Sequence, residues 1–176
     1  MNSVTLPHLD KRTHDKRRLS DLFYQSFDSS KVFSFFRRLP PKTLGEGAHF
    51  RVYKLASSSS SLPALSVNIA KPNFYEGKGP QFRKHWIGWI KTLRHEVVDL
   101  IPPLEVIEDE DTLAIVMPFG EDPIEQAATH WQPIAEALTQ ALKQLEGAGY
   151  VIEDKIQGRS WQGIPFICDF SDLQPK

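Results

Sequence analysis

A single cysteine, Cys168, stands among the 176 residues, so no intrachain disulfide can form, which fits a reducing compartment. There is no CxxC pair and no HExxH, and the six histidines are scattered without ligand spacing. No ligand set for a structural zinc is therefore in sight. Acid and base nearly cancel: 21 Lys and Arg against 22 Asp and Glu leave a formal net charge of -1. Nucleic acid is not an expected partner of such a chain. No apolar run approaches the roughly 20 residues that a membrane span needs. The start, Met1-Asn2-Ser3-Val4, lacks a charged n-region followed by an apolar h-region, so no secretory signal is read and a cytoplasmic location is expected.

What the chain does have is an ordinary globular composition, with 40% hydrophobic and 24% charged residues. Its length suits one compact domain or two small lobes sharing a cleft. Residues 1–20 are polar and rich in Lys and Arg, and read as a solvated face or flexible arm. Leu22, Phe23, Phe27, Val32, Phe33, Phe35 and Phe36 predict two short amphipathic helices broken near Asp28-Ser29-Ser30. Pro40-Pro41 stops any helix.

From Leu44 to Leu55 the pattern is strand, glycine turn, strand, and the serine run 57–61 is a loop tip. A further strand is expected over 65–70 and a loop over 73–80. Phe82, Trp86, Trp89, Ile90 and Leu93 then fall at helical spacing. Leu104-Glu105-Val106-Ile107, an acidic turn, and 113–117 predict a hairpin. A long helix is expected over about 124–146, with Ile134, Leu138, Leu142 and Leu145 on one face and Gly147 and Gly149 ending it. Two short strands follow, around Tyr150-Val151-Ile152 and over 165–168. The order is α+β with no internal repeat.

Four features carry chemistry. Gly45-Glu46-Gly47-Ala48-His49-Phe50-Arg51-Val52 places a glycine turn between two strands, where backbone N–H groups can approach phosphate oxygens that a Cβ would hold off. Lys71, at the end of a strand, can reach back under that turn and neutralise phosphate. Leu113-Ala114-Ile115-Val116-Met117-Pro118-Phe119-Gly120 is an apolar strand running into a connector whose backbone can meet a purine edge. Asp154 and Asp169 each follow a strand-like run, and two such carboxylates can divide labour between a hydroxyl nucleophile and a metal ion. Taken singly, each also suits a plain hairpin, a surface lysine, a buried strand or a turn aspartate.

In this order the features resemble the protein-kinase-like family, over about 44–173, nearly three-quarters of the chain. The resemblance implies an α+β fold: an antiparallel-sheet N-lobe with one helix, then a truncated, mostly helical C-lobe. Residues 1–42 would be an N-terminal arm or helical extension, 43–120 the nucleotide-binding lobe, and 121–176 the C-lobe stub. It makes Gly45, Glu46, Gly47, Ala48 and Val52 the glycine-rich loop, and Lys71 the lysine of the third strand. Met117 becomes the gatekeeper, with Pro118, Phe119 and Gly120 as the hinge. Asp154 would position the acceptor hydroxyl, and Asp169 in Asp169-Phe170-Ser171 would hold the metal. ATP and Mg²⁺ are the implied cofactors. The implied activity is transfer of the γ-phosphate to a hydroxyl, with Ser or Thr of a protein substrate favoured.

The chain departs from the family pattern at several places. Phe50 replaces the third glycine, and Ile152-Glu153 stands where His-Arg is usual. Arg159 occupies the place of the metal-binding Asn, with Gln157 as a nearby amide able to substitute. Ser171 replaces the glycine after Asp169-Phe170, and seven residues follow Asp169. The predicted helix 81–93 has no acidic residue, so Glu96 is the candidate partner for Lys71. The size resembles minimal bacterial kinases used as effectors, which makes export an open expectation. A pseudokinase acting as a nucleotide-responsive protein-binding module, a small-molecule kinase and an unrelated α+β domain are the alternatives.

Overall fold

The computed structural model describes residues 7–38, 43–76, 81–95, 101–108, 112–123, 139–140, 142–152, 157–170 and 173–176. At its centre is a five-stranded antiparallel sheet in the order β1-β2-β3-β5-β4. Its strands are β1 (Gly45–Glu46), β2 (Phe50–Leu55), β3 (Leu65–Ala70), β4 (Glu105–Glu108) and β5 (Leu113–Pro118). The expected third strand has the observed bounds, and β4 with β5 is the expected hairpin. Residues 109–111 of its acidic turn lie outside the described residues.

The period of two along each strand divides the sheet into two faces. On β3, Leu65 and Val67 point outward, while Ser66 and Asn68 point to the cleft. On β5, Ala114 and Val116 point outward, and Ile115 and Met117 inward. Register pairs Ser66 with Met117 and Asn68 with Ile115, which sets these four side chains side by side on the inner face.

Helix α1 (Pro7–Ser26) and helix α2 (Ser29–Phe36) cover the outer face. The arm expected over residues 1–20 is thus helical from Pro7 on. The break between the helices falls at Asp28, whose Oδ1 accepts from the backbone N–H of Ser30 at 2.9 Å and caps α2. Helix α3 (Phe82–His95) covers part of the inner face. Its residues Trp86, Ile87 and Ile90 join Phe50, Phe74 and Leu104 in the largest core. A 3-10 turn, Pro72–Tyr75, occupies part of the expected loop and places Phe74 in this core.

Beyond β5 come β6 (Asp122–Pro123), β7 (Tyr150–Ile152), β8 (Gly158–Trp161), β9 (Ile164–Ile167) and β10 (Leu173–Pro175). They form a β6-β8-β9 sheet and a β7-β10 pair. Of the long helix expected over 124–146, residues 139–140 and 142–147 are helical; 124–138 and 141 lie outside the described residues. Gly149, at φ +87°, turns the chain out of it into β7. Among the described residues no helix is long and apolar enough to cross a membrane.

Candidate nucleotide cleft

A cleft of about 540 Å³ opens between the inner face of the sheet and the β8–β9 hairpin. That volume suits a small-molecule ligand. Its roof is the glycine turn. Leu44 N–H donates to Val52 O at 2.9 Å, and Gly47 N–H to Phe50 O at 2.9 Å, which closes the turn. Gly45, Glu46, Gly47, Ala48 and Val52 all line the cleft.

The inner edge is the end of β5 and the connector after it. Met117, Pro118 and Gly120 line it together with Phe119. The connector is fastened at both ends: Phe119 N–H donates to Ala64 O at 2.7 Å, and Glu121 N–H to Ser160 O at 3.1 Å. Gly120 has no room for a side chain. A Cβ there would lie 2.2 Å from Arg159 Cβ and 3.1 Å from the Phe166 ring.

The floor is the hairpin. Gln157 and Asp169 both line it. They are held together by backbone, since Cys168 N–H donates to Gln157 O at 3.0 Å. Burial pushes the Cys168 thiol up to about 11, and the neighbouring Asp169 carboxylate adds to the shift.

Lys71 lies one residue past β3, on the parity of Val67 and not of Asn68. Its Nζ reaches Glu46 Oε1 at 2.7 Å and Gly47 O at 2.8 Å, so it fastens the glycine turn without lining the cleft. The hydrogen bond and charge from Lys71 hold the Glu46 carboxyl below the usual range. Asn68 faces the cleft instead, with Nδ2 donating to Ile115 O at 3.3 Å and to Ser66 Oγ at 3.2 Å. Among the described residues, α3 puts Trp86, Ile87 and Ile90 into the core, and its Arg83 donates to Thr112 O at 3.1 Å beside the β4–β5 hairpin. Asp154 and Glu96 lie outside the described residues.

Two cleft residues were not singled out from the sequence, Ser66 and Asn68, and three that were named there, His49, Arg159 and Cys168, were given no role in the cleft. The alternation along β3 carried the signal for the first two. His49 Nδ1 is buried without a hydrogen-bond partner at the glycine-turn end of the cleft. Arg159 is the one Lys or Arg side chain among the described lining residues. It sits on β8 opposite Phe166, beside the connector.

No family model matches the chain, and no curated protein matches it. Solved structures do. A kinase domain of PknI from Mycobacterium tuberculosis, carrying a cysteine-to-alanine substitution, superposes with a TM-score of 0.52 at 18% identity. The match covers 77% of this chain and 60% of that one. A second structure of the PknI kinase domain gives 0.51 at 19%, over 74% and 58%. The chain thus spans about three-fifths of the length of the kinase domains it matches. The fold is protein-kinase-like, with the five-stranded antiparallel sheet matching the N-lobe.

Proposed function

We propose that the chain binds ATP with Mg²⁺ in this cleft and transfers the γ-phosphoryl group to a hydroxyl, most favourably a Ser or Thr of a protein. One observation carries the reading: Asp169, next to Cys168 whose N–H donates to Gln157 O, lines the same cleft as the glycine turn and the connector 118–120. That combination offers the three parts of a nucleotide triphosphate something distinct. The connector backbone meets the base, the turn's N–H groups meet phosphate, and the floor meets a cation.

The floor suits Mg²⁺. The Asp169 carboxylate and the Gln157 side-chain amide are hard oxygen donors that both line the cleft, and they would hold the ion beside the phosphates. Bound there, the ion would neutralise charge developing on the phosphates. The resemblance gives Asp154 the acceptor side, accepting the hydroxyl proton as the new O–P bond forms and ADP leaves. Arg159 supplies positive charge at the connector end of the floor.

The test is transfer of labelled phosphate from Mg-ATP to the protein itself, to generic acceptor proteins and to a lysate. Transfer that Asp169→Ala abolishes is expected. Absence of any transfer, with Asp169→Ala indistinguishable from the parent, overturns the enzyme reading. A nucleotide-responsive binding module is the second reading. It is favoured by Asn68, and not a lysine, facing the cleft from β3. Its signature is a thermal shift with ATP and no turnover. A small-molecule acceptor would show as transfer to a sugar or lipid headgroup and not to protein.

A further inference from the structure

We infer that helix α1 braces the cleft floor, and that Leu19 is the positioning residue through which it acts. Leu19 and Phe23 are four apart, one helical turn, and so share one stripe of α1. Yet they enter different cores. Phe23, 0% exposed, packs with Tyr53, Leu65, Val67 and Val116 on the outer face of the five-stranded sheet. Leu19, 2% exposed, packs with Trp161, Ile164 and Phe166 of the β8–β9 hairpin. A single turn of α1 therefore holds the sheet to the hairpin that leads into Asp169.

The path from Leu19 to the cleft is short. Phe166 is 1% exposed, packs in the Leu19 cluster and also lines the cleft. Its ring lies against the connector at Gly120. Close-packed interiors transmit displacement, so a change at Leu19 is felt by the Phe166 ring and the strand that carries it. On the sheet side α1 is fixed independently. Ser26 Oγ donates to Pro63 O at 2.8 Å, and Tyr24 OH donates to Glu105 Oε1 at 3.2 Å. The connector thus has a second tie beside it, made by packing and not by covalent chain.

Only the affinity readout rests on the nucleotide reading; the packing readout does not. The experiment compares full-length Leu19→Ala, Leu19→Val, Leu19→Met and Phe23→Ala by hydrogen exchange and by Mg-ATP titration, at a temperature where each is folded. Leu19→Ala is expected to speed exchange over 158–167 and to weaken Mg-ATP binding by about tenfold, while Leu19→Met restores both. Leu19→Val gives the same pattern at smaller size if the alanine variant fails to fold. Phe23→Ala is expected to speed exchange in β2, β3 and β5 and to leave affinity within about twofold. The brace is overturned if the Leu19 variants leave 158–167 protected as in the parent, or if Phe23→Ala weakens binding as much as Leu19→Ala. A parent protein that binds no Mg-ATP sinks the nucleotide reading instead, and the exchange pattern still decides the brace.

Discussion

Lys71 Nζ lies 2.7 Å from Glu46 Oε1, so the cation expected to meet phosphate is instead bonded to the lip of the glycine turn. Removing it should act indirectly. Lys71→Met leaves Glu46, a cleft-lining carboxylate, without its first partner and adds negative charge where phosphate would sit. A loss of Mg-ATP affinity of no more than about fivefold is expected, because an exposed ion pair contributes little. Glu46→Gln should strengthen binding by a similar factor. Calorimetric titration of both variants checks this, and abolished binding in Lys71→Met would mean that the side chain swings into the cleft.

The same pair has a pH signature. The hydrogen bond from Lys71 lowers the folded-state value of Glu46 below its ordinary 4.5. The pair's contribution to stability is therefore fully present above about 4.5 and is lost as pH falls through the lower folded value. The melting temperature of the parent should drop more steeply across that acid window than that of Glu46→Gln. Parallel melting curves in the two proteins would remove the pair from the stability balance.

Much of this arrangement was legible in the chain, and what was not has physical reasons. Strand β3, the glycine turn and the β4–β5 hairpin follow from apolar alternation and turn residues, which act locally. Lys71 shows the limit. Its place in the sequence fixes it near the glycine turn, but a long side chain there can turn to the cleft or to the lip, and the ion pair with Glu46 that decides it is a tertiary contact with no local pattern. Helix α1 shows another. Its sequence is polar, so the two buried anchors Leu19 and Phe23 are diluted among charges. Strands β8 and β6 are short and contain Gly158, Arg159 and Pro123, so no local pattern announces them; pairing with β9 and the connector makes them.

Cys168 should be slow to react. Its thiol is raised from 9.0 to about 11, first by burial and then by the Asp169 charge, with Arg159 opposing. A two-unit shift leaves roughly a hundredfold less thiolate at pH 8 than in an unfolded chain. Iodoacetamide labelling of the native protein should lag the urea-unfolded protein by about that factor and climb steadily toward pH 11. The stability linked to this group is present below 9.0 and is lost as pH rises toward 11. Equal labelling rates in the native and unfolded protein at pH 8 would contradict the buried, acid-flanked setting.

Trp86 ties α3 to the inner face of the sheet. It is 0% exposed, with its ring 5.0 Å from that of Phe74 and 5.8 Å from that of Phe50. Trp86→Ala should cost ~3–5 kcal/mol through the cavity it leaves. Trp86→Phe should cost less than ~2 kcal/mol, because the lost indole Nε1 has no hydrogen-bond partner to abandon. Urea unfolding of the two variants measures both. A cost for Trp86→Ala below ~1 kcal/mol would show that α3 is not seated as described.

Gly120 is where the connector and the cleft floor come closest. Its own conformation is unremarkable; the constraint is space. A methyl group there would meet Arg159 Cβ at 2.2 Å and the Ser160 backbone N at 3.1 Å. The first obstacle is the root of a side chain, so rotation of a flexible tip cannot relieve it, and β8 or the connector must shift. Gly120→Ala should therefore destabilise the fold by ~1–3 kcal/mol, the range of an overpacked contact. It should also strain the Glu121 N–H bond to Ser160 O and weaken Mg-ATP binding by more than Gly45→Ala does. Position 45 has open space around the added carbon, so the two alanine variants separate crowding from the mere loss of a glycine. If Gly120→Ala melts and binds like the parent, the close approach of connector and hairpin is not what shapes the cleft.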